Sequence, residues 1–275
     1  MSAQIDLGPE TSVEAILRAL DSGEIRVAEP DADAPNGWRV NSAVQSAILR
    51  LFADRETRTW DLDGIQFRDR VGLPPKDLLH SAEAQAALAA GKPWRVVPGG
   101  TSVRAGAYLA PGVTVMPPSY VNVGAWIGEG TMVDSHVLVG SCAQIGSRVH
   151  LSAGVQIGGV LEPPGRRPVI VEDEAFVGAQ AALLEGVLVR KAAVIAAGVI
   201  LTGTSRLYDL ARERVIVGTL DEPLVVPAGA VVAPGVRQAS GDFAAEHGLA
   251  LSAAIVVKYR DERTDARVAL EEALR

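Results

Sequence analysis

An aliphatic residue recurs at every sixth position from Val103 through Leu109, Val115, Val121, Ile127, Val133, Val139, Ile145 and Leu151 to Ile157. The beat resumes at Val171, Val177, Leu183, Val189, Ile195 and Leu201, and Val226 and Val232 keep the same spacing. Four residues after each beat stands a small or β-branched residue: Ala107, Val113, Ser119, Ala125, Thr131, Val137, Ala143, Val149 and Val155, then Ala175, Ala181, Val187, Ala193, Val199 and Ser205. An α-helix turns every 3.6 residues and cannot hold a period of six in phase. Antiparallel hairpins would need turn signals between their strands. A short flat strand followed by a corner fits the beat, and three such hexads close one triangular coil of 18 residues. Each aliphatic then points into the prism and stacks on its counterpart one coil on. The residue four positions later also faces inward, where only a small side chain fits. Gly128, Gly140, Gly146 and Gly178 follow beats and read as tight-turn positions. At ~4.8 Å per coil, about six coils give a column roughly 30 Å tall.

The expected fold class is therefore mainly β: a left-handed parallel β-helix of hexapeptide repeats, with an N-terminal helical domain and a small C-terminal strand and helix cap. Its boundaries are placed at 1–95, 96–235 and 236–275. In the first part, Thr11 and Glu14 have capping-box spacing ahead of Val13, Ile16, Leu17 and Leu20, and Gly23 ends that helix. Asn41 can cap a second helix bearing Val44, Ile48, Leu51 and Phe52. A third runs from Pro75 to Ala90 with Gly91 after it, following a polar connection. These helices are expected to cover the first coil, since an open strand edge invites aggregation. Two interruptions, 158–170 with Pro163, Pro164 and Pro168, and 206–223, read as extruded loops where function concentrates. Leu251–Val257 reads as a strand and Thr264–Arg275 as a short helix.

The net charge of −7 argues against nucleic acid or an anionic membrane as the main partner. No apolar run approaches ~18 residues, and the acidic N-terminus lacks the apolar core of a signal peptide. With one cysteine, Cys142, no intrachain disulfide forms, and a cytoplasmic location is expected. Cys142 falls just before an inward position, so it could lie at the surface, and nothing nearby marks it as a nucleophile. His136 and His150 raise a zinc site of the kind found in hexapeptide carbonic anhydrases. That chemistry needs three converging histidines, and His80 and His247 lie in the flanks, so no metal is expected.

Several segments resemble the tetrahydrodipicolinate (2,3,4,5-tetrahydropyridine-2,6-dicarboxylate) N-succinyltransferase family. They are LDSGEIRVAE (20–29), WRVVPG (94–99), PSYVNVGAWIGEGTMVDSHVLVGSCAQIG (118–146), VHLSAGVQIGGVLEP (149–163), VIVEDEAFVGA (169–179), VPAGAVV (226–232) and AIVVKY (254–259). The likeness covers nearly the whole length. It implies a homotrimer with active sites between neighbouring subunits, succinyl-CoA as a cosubstrate, no permanently bound cofactor, and an open-chain amino-ketopimelate acceptor whose amine attacks the thioester. It implies that Arg95 holds substrate and that Asp134 binds it and acts in catalysis. A guanidinium suits a dicarboxylate, and a carboxylate suits an amine. Asp134 follows an inward residue and should face the groove.

The chain departs from the family where AQAALLEG replaces a segment resembling ARSEVVEG. Ala182 stands at an acidic position, Gln180 and Ala181 replace an arginine and a serine, and Ala153 and Gln156 alter the glycine-rich LSAGVQIGG. Glu185 matches the later glutamate and is the remaining catalytic candidate, though it reads more readily as a solvated surface residue. Arg95 could instead snorkel beside Trp94, and Asp134 could bond its own backbone at a corner. Ser152, Arg166, Arg167, Arg190, Lys191 and Lys258 are candidates for CoA binding, each also an ordinary surface residue type. Two other readings stay open. One is a paralogous N-acyltransferase, using acetyl-CoA or succinyl-CoA on a related amino acid in specialised metabolism of the tabtoxin type. The other is a non-catalytic β-solenoid, against which the heterogeneous outward positions argue.

Overall fold

The computed structural model describes residues 7, 8, 10–62, 65–161 and 167–260. The beat builds a left-handed parallel β-helix of triangular section from stacked two-residue strands. One face, the cap face, stacks Tyr108–Leu109, Trp126–Ile127, Gln144–Ile145, Ile170–Val171, Leu188–Val189 and Val225–Val226. A second, the arginine face, starts at Arg95–Val96 and continues through Thr114–Val115, Met132–Val133, His150–Leu151, Phe176–Val177 and Val194–Ile195 to Ala230–Gln238. The third face stacks Ser102–Val103, Tyr120–Val121, Leu138–Val139, Gln156–Ile157, Ala182–Leu183 and Ile200–Leu201.

Register follows the beat. Ile127 pairs with Ile145 and Val133 with Leu151, each 18 residues on. Across the first interruption Ile145 pairs with Val171, and across the second Val189 pairs with Val226. Insertions therefore add chain at a corner without turning any beat residue outward. Every beat residue from Val103 to Leu201 is buried, as are the small residues from Ala107 to Val199. Two of these carry hydroxyls that bond across coils: Ser119 Oγ donates to Asp134 O at 2.8 Å, and Thr131 Oγ1 donates to Gly146 O at 2.8 Å. Interior hydroxyls are thereby satisfied, as burial requires.

The corners sharpen the reading of glycine. The left-handed residue sits three positions after the beat, at Gly106, Gly124, Gly130 and Gly154 but also at His136, Cys142 and Arg148. Gly128 and Gly140, directly after beats, are needed for another reason. A Cβ on Gly128 would lie 2.5 Å from Gly146 C, and one on Gly140 would lie 2.3 Å from Gly159 N. Coil-to-coil approach, not turn geometry, demands glycine there.

Among its described residues the N-terminal segment holds three α-helices: α1 (Val13–Asp21), α2 (Ser42–Leu51) and α3 (Ala82–Ala89). Ser12 rather than Thr11 caps α1, its hydroxyl accepting from Ala15 N. Asn41 caps α2 as expected. The third helix is shorter than expected, because Pro74, Pro75 and Lys76 run extended along the first coil, with Ala105 N bonded to Pro74 O and Lys76 N to Val103 O. The connection before it contains an antiparallel hairpin, Thr57–Leu62 with Ile65–Arg70. The first two helices do not sit on the end of the column. They pack along its side, where Ile16, Leu20, Ile48 and Leu51 meet Ala105, Val123, Cys142 and Val160 from successive coils. Residues 74–76 and 92–97 cover the open edge instead.

The second interruption is a hairpin, Arg206–Asp209 with Arg214–Val217, rather than an extruded loop. Its first strand joins the arginine-face sheet by pairing with Ala250–Tyr259, which also pairs antiparallel with Ala230–Gln238. Tyr259 Oη donates to buried Asp209 at 2.6 Å and fixes this junction. The C-terminal helix expected at Thr264–Arg275 lies outside the described residues.

Gly140→Ala should lower stability by about 1–3 kcal/mol, the usual cost of overpacking. An unchanged urea midpoint would refute the close-approach account.

Candidate active site

Outward positions on the arginine face form two rows. One runs Arg95, Thr114, Met132, His150, Phe176, Val194, all register partners in turn. The other consists of the residues that follow each beat: Met116, Asp134, Ser152 and Gly178. Their N–H groups bond the carbonyls of Val133, Leu151, Val177 and Ile195 on the next coil, at 2.8 to 2.9 Å. The fold thus brings Arg95, Asp134 and Ser152 to one face.

Asp134 is half-buried and held twice. Its carbonyl accepts from Ser119 Oγ, and its Oδ1 accepts from Ser135 N at 2.7 Å. The local backbone bond does form, and it orients the carboxylate while leaving Oδ2 without a hydrogen-bond partner among the described residues. Arg95 is exposed, with Nη2 3.9 Å from Met116 Sδ, one step from Asp134 in its row. Among the described residues no carboxylate pairs with it. Its guanidinium is open to an anion on the face that presents Asp134.

His150 stands diagonally across from Asp134, and its ring stacks on Phe176 with centroids 5.2 Å apart and planes 16° apart. Burial pushes its imidazole below the ordinary value, against the pull of the Asp134 charge, and so favours the neutral ring. Sequence reasoning weighed His150 only as a metal ligand. Its signal was its place in the hexad, immediately before an inward Leu151, which sets it on the Asp134 face. Among the described residues no three His, Cys, Asp or Glu side chains gather as a metal site.

The other candidates lie apart. Glu185 occupies a left-handed corner beyond Leu183, and its Oε2 accepts from Gly203 N at 3.2 Å. Ala182 lies on the third face between Gln156 and Ile200. Arg190 pairs with Glu172 at 2.8 Å, and Lys191 Nζ lies 3.7 Å from Glu174. Gly229 N bonds Lys191 O while Lys258 pairs with Val231, so both lysines flank one turn. Arg167 reaches instead to the carbonyls of Thr219, Leu220 and Asp221. Arg166 lies outside the described residues.

Among the described residues, four of the cavities lie off the arginine-face rows and are not lined by Arg95, Asp134, His150 or Ser152. One of about 340 Å³ near the C-terminal hairpins carries Arg206, Arg237, Thr204 and Ser205, a cationic cleft that sequence reading passed over. Another, of about 380 Å³, lies where Arg26 stacks 4.1 Å from the Trp126 ring on the cap face.

Cys142 is fully buried under α2, not at the surface, and burial pushes its thiol up to about 12. Its corner is roofed because Gly124 leaves room for Ile48 to descend beside it.

Comparison with known proteins agrees with this architecture. A model of the tetrahydrodipicolinate N-succinyltransferase N-terminal region matches residues 3–53, and one of the hexapeptide repeat of succinyl-transferase matches 168–203. The 2,3,4,5-tetrahydropyridine-2,6-dicarboxylate N-succinyltransferase of Afipia carboxidovorans is 42% identical over 96% of this chain and 89% of its own length. Enzymes of the same name from Polynucleobacter asymbioticus and Pseudoalteromonas translucida are 42% identical over 100% of this chain and 44% identical over 94%. They are covered over 92% and 86% of their own lengths. A solved Campylobacter jejuni chain, described as a 2,3,4,5-tetrahydropyridine-2-carboxylate N-succinyltransferase, aligns with TM-score 0.50 at 18% identity. The alignment covers 89% of this chain and 62% of that one, and it bears on the fold alone.

A three-sided hexapeptide prism flanked by helical and strand caps is the architecture of the hexapeptide-repeat acyltransferases. Within that class the chain belongs to the tetrahydrodipicolinate N-succinyltransferase family.

Because the thiol is buried and neutral, native protein should react with an aromatic disulfide at least ~10-fold more slowly than urea-unfolded protein. Equal rates would place Cys142 at the surface.

Proposed function

We propose that this chain transfers the succinyl group of succinyl-CoA to the amine of open-chain tetrahydrodipicolinate, an acylation step of the lysine and diaminopimelate pathway. The observation that carries the reading is the shared face of Arg95 and Asp134, in a chain 42% identical to enzymes of that name. Arg95 binds an acceptor carboxylate. Asp134 Oδ2 receives a hydrogen bond from the acceptor amine and aims its lone pair at the thioester carbon. The new C–N bond forms as the carbonyl becomes an oxyanion, a proton leaves the nitrogen, and the C–S bond then breaks to release CoA as a thiol. No acyl-enzyme is needed, which suits a chain whose one cysteine is buried.

The arginine face is only partly covered between Arg95 and Phe176 in one chain, and Ile200 on the adjoining third face is 63% exposed. A homotrimer would close that surface with a neighbour's third face and make the groove for the pantetheine arm. Among the cations, Arg206 and Arg237 share one cleft, and Lys191 and Lys258 flank one turn. These two clusters are the proposed contacts for the CoA phosphates, and Ser152 Oγ lines the path between. No helix among the described residues is long and apolar enough to cross a membrane. A cytoplasmic site of action, where succinyl-CoA is made, completes the reading.

One observation favours a second acceptor. The third-face ladder around Ala182 reads Tyr120, Leu138, Gln156, Ala182, Ile200 and presents no carboxylate. A related amino acid, or acetyl-CoA as donor, suits that neutral wall.

Thiol release separates these readings when succinyl-CoA and acetyl-CoA are each crossed with tetrahydrodipicolinate and 2-aminopimelate. The first reading expects the fastest release with succinyl-CoA and tetrahydrodipicolinate, and silence in all four pairs would overturn both. Asp134→Asn should leave assembly unchanged on a sizing column and lower turnover at least ~10²-fold. Near-normal turnover would remove Asp134 from the site.

A further inference from the structure

Resting on that acyl-transfer reading, we propose that the imidazole of His150 is the group that takes the proton from the attacking amine. His150 and Asp134 are diagonal neighbours on adjacent strands of one face: Met132 is the register partner of His150, and Asp134 N bonds Leu151 O at 2.9 Å. Such diagonal neighbours stand roughly 7–8 Å apart at their backbones, so two side chains of this length reach a common atom above the face. Asp134 already spends Oδ1 on Ser135 N. With Oδ2 orienting the amine, the proton needs a second acceptor on the same face, and His150 is the adjoining side chain that can take it.

The ring is prepared for that task. Phe176 stacks on one side of it and fixes its plane. The groups that face it from each coil are few. From the coil below comes the Asp134 carboxylate, with Arg95 two steps further down the row. From the coil above come the uncharged Phe176 ring and Gly178. On its own coil, Arg148 is turned away to Glu174 at 2.8 Å. Half-burial favours the neutral imidazole, ready to accept. An imidazole is also a far better match than a carboxylate for an amine proton near neutrality. As the amine attacks, the C–N bond forms and the proton passes to the free ring nitrogen, giving imidazolium. When the C–S bond breaks, that proton goes to the departing thiolate. The products are the amide and CoA thiol, and the ring is neutral again. Asp134, close by, stabilises the transient imidazolium charge.

The test is the pH dependence of kcat for unaltered protein, His150→Gln and Phe176→Leu. Unaltered protein should show an acid limb with an apparent pKa below the ordinary imidazole value of ~6.5. His150→Gln should lose that limb and at least ~10²-fold in kcat, with KM for both substrates within about threefold. Phe176→Leu, which opens the ring to water, should move the limb upward. His150→Ala should regain rate when imidazole is added to the buffer, an effect that a structural role would not give. If the unaltered protein releases no CoA with any pair, the acyl-transfer reading fails and this role with it. If it does release CoA, and His150→Gln keeps its acid limb or a kcat within about threefold, the role of His150 alone is overturned.

Discussion

The inward stacking of one aliphatic side chain on its counterpart a coil away is the contact on which everything else rests. Each beat residue is fully or nearly fully enclosed, and its partners above and below are fixed by parallel pairing at a single register. Because strands alternate sides, fixing the inward residue fixes its two flanking residues outward. Outward side chains are therefore collected into straight rows. Residues far apart in the chain, such as Asp134 and His150, are brought to one surface by counting alone, and Arg95, outside the beat, joins them by pairing with Thr114. A prism of this kind positions chemistry through its backbone ladder rather than through loops.

The same constraint separates the work of the three faces. The cap face is overlaid by the chain's own N-terminal segment, with Arg26 bonded to Gln144 at 2.6 Å and Trp38 to Glu172 at 2.9 Å. The remaining two faces present their rows outward, one with charge and imidazole, the other with aliphatic and amide groups. That division leaves one face suited to reaction and another suited to covering it. It explains why a single chain holds the reacting side chains yet does not enclose them.

The prism itself was legible because burial of a two-residue strand leaves no freedom in spacing. Arg95 and Asp134 came from family likeness, and the ladder then set them on one face. Other features were hidden for physical reasons. The beat specifies what faces inward but is silent on which corners are roofed, so Cys142 read as potentially exposed although α2 covers it. The hairpin at Arg206–Val217 breaks the period of six and looked like a loop, yet it pairs with a strand more than 40 residues later, a contact no local pattern encodes. Glycines after each beat read as turns, since one residue type serves both positive φ and close approach. His150 was weighed only as a metal ligand, because its place before Leu151 sets the face it points from, while only the row it shares with Arg95 gives it a role.

The most direct test of the whole account is a crystal structure of the protein with CoA and 2-aminopimelate. The account predicts a trimer in which an acceptor carboxylate meets Arg95 and the acceptor amine lies between Asp134 and His150. The thiol should point at that amine, and a neighbouring subunit's third face should close the groove. An acceptor bound in the Arg26 cleft of the cap face, or on an isolated chain with the arginine face bare, would contradict it.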